Sequence, residues 1–574
     1  MSDTHSVLDL CNMSVENTKY LNQIFELYSK DYTRFVDELS DIFGKNLYWW
    51  MTNFASRNIF LSNAYKHICI VLVAIENIER NRGIDRILAP RADIAEVISQ
   101  YIAKKDYDIK VEIENSVDIY KNNIWLDFLN YIKMIGGGWK ERTIVRKERR
   151  SKCSIPDEEF ILIETDVFSS CFDSGEYKAR DFADVLDYTE EEIYFLPYLH
   201  LNNDMSFREL VRKIVASEKY KFIFRENYLQ LTDYIKLLLF PYWCRKFCKG
   251  TKVFKQIDVT KIVNTDIISS IRSKNSVYGI LNYFFVKRIK KQHISLKSLI
   301  GWYEGQPSSL GLFKAFHENY QESTSVGYEG YPADRRVMQC APSPVQRKYQ
   351  VAPRTIGIIG QIFETTIKQF DDKIDVIIVP PFRMKEIFSY MSALKQEQKK
   401  EIRNVMLVAL PYNENDAAKI INNLRTYEKI INQRKIHILL KNHPTKKQWT
   451  LKEYGVDMAN LSWEFVDGSF DSVLQNADIL LTCASSTVYE AVVMGKKVIL
   501  VGSPSEIVLS FIPLEMEKKV KHAVVYNEND FENAIDIFTD CSCEALCLEG
   551  NRYLEKIDCK TTDCLLNRGK NEFI

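Results

Sequence analysis

Ser485, Ser486 and Thr487 stand in succession where the apolar run DILLT ends and the amphipathic stretch TVYEAVVMG begins. A strand-to-helix turn leaves free backbone N–H groups at the positive end of the helix dipole, and three hydroxyls exceed what a single N-cap requires. Such a turn can hold a phosphate. Glu490, one helical turn further on, can face the same crevice and accept two hydrogen bonds from a ribose diol. About forty residues earlier, HILLKNHPTKK delivers Lys441, Asn442 and His443 to a strand end that Pro444 stops. There the imidazole can donate to a phosphate oxygen, and Lys441, Lys446 and Lys447 add local positive charge. Plainer readings remain beside these: a serine N-cap, a solvated helix glutamate, a structural histidine.

Two carboxylates close apolar runs in the first half of the chain. Glu304 ends SLIGWYEG and Asp166 ends FILIETDVF. Ligand-contacting groups of an open α/β sheet belong at such strand ends. Either carboxylate could activate a hydroxyl as general base or stabilise an oxocarbenium-like centre, with Glu304 the first choice. Either could also simply cap a turn.

The elements that must position these residues follow a simple pattern. From Val405 to about Asp540, strand-like apolar runs (NVMLVALP, KIHILLKNHP, SWEFVD, DILLTCAS, KKVILVG) alternate with helical patterns, which is the signature of a doubly wound parallel sheet. Upstream, DRILAP to DIKVEI reads as βαβ. FILIETDVF, IYFLPYL, SLIGWYEG, SVGYEG, VMQCAP and TIGIIG are further strand-like runs, with LGLFKAFHENY a helix among them. The polar segment SSCFDSGEYKARDF falls where ligand-contacting loops belong. The first 84 residues carry aromatics at helical spacing and predict packed helices.

A chain of 574 residues exceeds one core, since cores stop growing at roughly 250–300 residues. With 77 Lys and Arg against 77 Asp and Glu, no global field draws it to nucleic acid or to an anionic surface. No apolar run approaches the ~20 residues of a membrane helix, and the N-terminus lacks a signal pattern, so a cytoplasmic protein is expected. Its thirteen cysteines are then expected as thiols. The spacing of Cys541, Cys543, Cys547, Cys559 and Cys564 lacks the paired C-x2-C knuckles of a zinc site, so no metal is expected. IKLLLFPYWCRKFCKG mixes apolar, aromatic and cationic residues: a core helix with a basic end is the simpler reading, peripheral contact with a membrane the other.

His443-Pro444, followed by Ser485-Ser486-Thr487 and Glu490, resembles the His-Pro and Ser/Thr motifs of bacterial GT-B glycosyltransferases. Similar pairs occur in sialyl- and Kdo-transferases that use CMP-sugars and in CDP-glycerol glycerophosphotransferases. GWYEGQPSSLGLFKAFHENY, VGYEGYP and CAPSP resemble the acceptor half of enzymes that build surface polysaccharides such as capsule and lipopolysaccharide. The acidic D/E-D/E-G motif that supplies the base in many sialyltransferases has no clear copy, which argues against sialyl transfer.

The resemblance implies an α/β, GT-B-like fold: two Rossmann-like doubly wound domains with a helical N-terminal extension. The expected organisation is an extension over 1–84, an acceptor-side domain over 85–370, a connection over 371–402, a nucleotide-sugar domain over 403–540 and a helical tail over 541–574. It implies transfer of a sugar from a nucleotide-sugar, CMP-linked by preference, to a glycan or lipid-linked acceptor, without metal or cofactor. Transfer of a CDP-linked polyol phosphate and a non-catalytic scaffold are the rival expectations.

Overall fold

Runs of Ile, Val, Leu and Phe without polar interruption form strands that are buried on both faces, as β-strands of a parallel sheet between helical layers must be. The computed structural model describes residues 6–80, 83–114, 124–148, 158–173, 175–182, 184–201, 205–388, 404–443, 463–539 and 552–567. Three parallel sheets and one short hairpin organise them. Strands β1 (Ser6–Asp9), β2 (Ile84–Ala89) and β3 (Lys110–Ile113) form a small sheet. β4 (Phe160–Val167), β5 (Ile193–Leu199) and β6 (Lys221–Phe222) come next, then the hairpin of β7 (Val253–Phe254) and β8 (Ile257–Asp258). β9 (Leu296–Trp302), β10 (Thr324–Glu329), β11 (Thr355–Ile358) and β12 (Asp375–Ile378) complete a seven-stranded sheet ordered β12-β11-β10-β9-β4-β5-β6. β13 (Val405–Ala409), β14 (His437–Lys441), β15 (Trp463–Phe465), β16 (Ile479–Thr482), β17 (Lys497–Val501) and β18 (His522–Val525) form a six-stranded sheet ordered β15-β14-β13-β16-β17-β18.

Both large sheets are doubly wound, and the arrangement is GT-B-like: two Rossmann-like sheets plus a largely helical N-terminal extension. In each, the order starts in the middle, runs outward to one edge, then returns to build the other side. The reversal falls between β4 and β9 in the first sheet and between β13 and β16 in the second. A crevice opens at such a reversal, outside the carboxyl ends of the strands.

Three local readings are corrected. The segment before residue 84 is not wholly helical, because SVLD forms β1 and pairs in parallel with β2; four residues leave too little pattern to reveal a strand. VMQCAP carries a short 3-10 turn at Met338–Cys340 instead of a strand. The stretch read as interdomain connection begins with β12, an edge strand bonded to β11, and continues into a turn at Phe382–Met384; residues 389–403 lie outside the described part.

One continuous apolar core runs from the N-terminal helices (Phe25, Trp49, Trp50) under the first sheet (Leu162, Leu299) to the inner face of the second (Leu407, Leu480). Separate clusters fill the outer faces around Ile163 and Phe195, and around Val408 and Leu481. The N-terminal segment is bonded to the second unit: Met13 N donates to Ser505 Oγ (3.1 Å) and Val508 N to Asn22 Oδ1 (2.8 Å). The C-terminal segment crosses back to the first, with Glu555 N donating to Ile359 O (2.8 Å) and Ser298 Oγ to Leu566 O (3.2 Å). Among the described residues no helix is long and apolar enough to cross a membrane.

Candidate functional site

The crevice of the first sheet collects carboxyl groups. Asp166 stands at the end of β4, and its Oδ1 accepts from His200 Nε2 (2.8 Å), a residue delivered by the end of β5. The imidazole is stacked on Phe168, with ring centroids 4.3 Å apart and planes within 8°, so its orientation is fixed from two sides. A histidine that spends Nε2–H on a carboxylate keeps a lone pair on Nδ1. Sequence reasoning missed His200, although IYFLPYLH ends in the same way as the segment that flagged His443.

Glu304, across the crevice and just past β9, is half-buried and held at both oxygens: Trp302 Nε1 donates to Oε1 and Gln306 Nε2 to Oε2, each at 2.9 Å. The turn depends on Gly305, whose φ is +55° and where an added Cβ would come within 2.4 Å of Gln339 O. Behind Asp166 and Glu304 lies Asp181, from the polar SSCFDSGEYKARDF segment. Burial, then the charge of Asp166, pushes its carboxyl up to about 7, against the opposing charges of Arg180 and Arg383. Burial likewise raises Glu164 to about 8 and holds Glu329 well above the usual range, with Glu304 the neighbouring charge.

In the second unit the hydroxyl turn sits at the carboxyl end of β16, beside the reversal. Ser485 Oγ lies 2.8 Å from Thr487 Oγ1 and accepts from Thr487 N (3.3 Å), so Ser485 takes part of the capping role. Ser486, at the N-cap position of the helix Thr487–Val493, makes no side-chain capping bond. All three hydroxyl residues are half-buried. Glu490 is more enclosed than a solvated helix residue. Its carboxyl hydrogen-bonds that of Asp471, and burial followed by the charge of Asp471 pushes it up to about 8, with Arg383 opposing. Burial also raises Asp471. Arg383, in the turn after β12, therefore acts electrostatically on Asp181 in the first crevice and on Glu490 in the second unit.

Lys441 Nζ donates to Gly468 O (2.6 Å), and burial lowers its pKa. His443, beyond the end of β14, packs edge-on against Tyr412 with ring centroids 5.6 Å apart. Pro444, Lys446 and Lys447 lie outside the described residues, as do Cys541, Cys543 and Cys547. Among the described residues no three His, Cys, Asp or Glu side chains are grouped to hold a metal ion.

The two halves meet at a cavity of about 490 Å³. His443 and Tyr412 line it from the second unit, while Arg180, Tyr198, His200 and Lys274 line it from the first. Thus the structure brings His443 together with the His200–Asp166 pair, and Asp166 and Glu304 together around Asp181. Glu490 turns instead toward Asp471 and Arg383, and Lys441 toward Gly468. Two imidazoles, one guanidinium and one ammonium around a single opening can bind an anion and move a proton beside it.

No protein-family model matches the chain, and no curated protein does. Among solved structures it is similar to the UDP-GlcNAc 2-epimerase of Methanocaldococcus jannaschii, with 12% identity and a TM-score of 0.39 over 70% of this chain and 97% of that one. It is similar to MurG of Acinetobacter baumannii (10%, TM-score 0.35, 72% and 95%) and to the wall teichoic acid polymerase TagF soaked with CDPG (11%, TM-score 0.30, 76% and 96%). Likeness at that level assigns neither substrate nor residue roles.

Proposed function

We propose that the chain is a glycosyltransferase that moves a sugar from a nucleotide-sugar, CMP-linked by preference, to a surface-polysaccharide or lipid-linked glycan acceptor at the inner face of the cytoplasmic membrane. One observation carries the reading. Residues picked for chemistry in two distant segments come to the carboxyl ends of two doubly wound sheets that share one cavity, with His443 on one wall and His200, paired to Asp166, on the other.

In this reading the nucleotide lies along the β13/β16 reversal. His443 and the hydroxyls of Ser485, Ser486 and Thr487 donate to its phosphate; Lys441 adds charge and Glu490 takes the ribose once they leave Gly468 and Asp471, the partners they hold without nucleotide. Charge grows on the phosphate as its bond to the anomeric carbon breaks, and donors fixed in place stabilise that charge without reorganising. Asp166 holds the proton on Nε2 of His200, so Nδ1 receives the proton of the acceptor hydroxyl as its oxygen attacks. Glu304, with both oxygens tethered, faces the positive centre that develops on the sugar. Arg180, Lys274 and His443 supply the charge that a metal ion would otherwise bring, so transfer is expected to persist in EDTA.

The test is the unfolding midpoint with CMP, CDP, UDP and GDP in turn, on the parent and on His443→Ala. A ligand that binds only the folded form at about a hundred times its Kd adds about 2.7 kcal/mol. Stabilisation by one nucleotide, lost in the variant, supports the reading and names the donor class. A CDP response with phosphate found in the product selects polyol-phosphate transfer. No response to any nucleotide leaves the scaffold reading standing.

A further inference from the structure

Nine of the nineteen exposed large apolar side chains among the described residues fall in two short stretches that are neighbours in space. Leu126, Phe128, Leu129 and Ile132 belong to the first half of the helix Ile124–Glu148. Leu231, Ile235, Leu238, Leu239 and Tyr242 belong to the helices Leu231–Leu237 and Phe240–Phe247 and the bend between them. The stretches are tied together: Tyr131 Oη donates to Leu237 O (2.7 Å), Tyr234 Oη to Gly138 O (3.3 Å), and Trp139 meets Tyr234 edge-on at 5.3 Å. The inward faces are fully engaged, with Leu237, Phe240, Cys244 and Phe247 buried, so the outward leucines are surplus to the core. A soluble surface of this length rarely leaves such side chains clustered unless something covers them.

The exposed charges of the two stretches have one sign. Residues 126–140 and 231–251 contain six cations (Lys133, Lys140, Lys236, Arg245, Lys246 and Lys249) and two acids. Both acids are buried and neutralised: Asp127 accepts from Arg272 (2.6 and 2.8 Å) and Asp233 from Arg288 (2.9 and 2.7 Å). In a chain whose total charge is zero, these two stretches present leucine, isoleucine, phenylalanine and tyrosine together with exposed Lys and Arg and no exposed acid of their own. A second copy seated on it would set cations against cations. An anionic lipid surface matches both properties at once, since apolar side chains enter the headgroup boundary while lysines and arginines take the anionic headgroups.

We propose that this face, built from the helices Ile124–Glu148, Leu231–Leu237 and Phe240–Phe247, docks the protein on an anionic lipid bilayer. That the docking serves a lipid-linked acceptor rests on the transfer reading; the docking itself does not. The test is flotation of the purified full-length protein with vesicles of phosphatidylcholine alone or with about one-third phosphatidylglycerol. Binding to the anionic vesicles alone is expected, weakening as salt shortens the screening length to about 8 Å at 0.15 M. At about fivefold per charge, Lys133→Gln with Lys249→Gln should reduce partitioning about 25-fold. Leu238→Ser with Leu239→Ser should remove the part that survives high salt. All four positions are exposed, so the unfolding midpoint and any nucleotide-induced shift should match the parent. Absence of flotation with either vesicle, variants that float like the parent, or variants that instead dissolve a dimer would each overturn the proposal. Flotation without a nucleotide response would sink the transfer reading and leave the docking intact; the converse would do the opposite.

Discussion

Glu490→Gln should become steadily more favourable, relative to the parent, as pH rises from 5 to 8. In the parent the Glu490 carboxyl is only 9% exposed and hydrogen-bonded to Asp471. Burial, then the charge of Asp471, raises it from 4.5 to about 8, with Arg383 opposing. A folded-state pKa above the unfolded one means that the fold favours the protonated form. The associated stability is complete below the unfolded value and is lost as pH rises through the folded one. At 1.36 kcal/mol per unit, the interval from pH 5 to pH 8 carries a ceiling of about 4 kcal/mol. Water entry and relaxation around the pair reduce the expected change to about 2–4 kcal/mol. Glutamine keeps the volume and an N–H donor for Asp471 but takes up no proton. The assay is urea unfolding of parent and variant side by side at pH 5, 6.5 and 8. Asp181 and Glu164 titrate in both proteins, so their contributions cancel in the difference. A difference that stays constant across the range, or a variant that loses ground as pH rises, would refute the placement of a shared proton between Glu490 and Asp471.

Further expectations concern the other half of the cavity and the frame around it. His200→Gln and Asp166→Asn should each lower kcat by about 10²–10⁴ with little change in KM, as removal of a general base or of the group that orients it requires. An unchanged kcat in either would remove the pair from the chemistry. Gly305→Ala should cost about 1–3 kcal/mol, because the turn needs a positive φ and a Cβ would meet Gln339 O at 2.4 Å; a neutral change in unfolding midpoint would show that the turn relaxes freely. Arg57 is buried and donates to Thr33 Oγ1, Ala341 O and Gln346 Oε1. Arg57→Ala should therefore cost about 3–5 kcal/mol by stranding those acceptors, measurable as an early unfolding step of the N-terminal segment from the first sheet.

The second sheet was the most legible part of the chain. Strands buried on both faces cannot tolerate polar residues, so NVMLVALP, HILLK, DILLT and VILVG mark themselves by composition alone. β1 and β12 left no such mark: SVLD and DVII are four residues each at sheet edges, and half-exposed edge strands carry mixed composition. Strand order was not legible either, because pairing is decided by how each crossover packs. At the candidate site the residues at strand ends were readable one by one, and Asp166, Glu304 and His443 were singled out that way as candidates. His200 obeys the same rule and lacked only the proline and lysines that drew attention to His443. Asp181, Arg383 and Asp471 come from turns and a short helix whose positions follow from tertiary packing, and no local spacing announces them.

Those turn residues bear on how two crevices could act as one. In a doubly wound sheet, connections on either side of the reversal lead away in opposite directions, so no loop covers the strand ends there and a crevice must open. With the same winding in both large sheets, and with the strand ends of both lining one cavity, two substrates can be held by separate walls and still react across a single space. The connecting segment is more than a tether in this arrangement. Arg383 lies just past β12, the last strand of the first sheet, yet its charge opposes protonation of Asp181 on one side and of Glu490 on the other. Arg383→Gln should therefore leave both carboxyls more firmly protonated, and an unchanged pH dependence of stability in the variant would show that the guanidinium acts on neither.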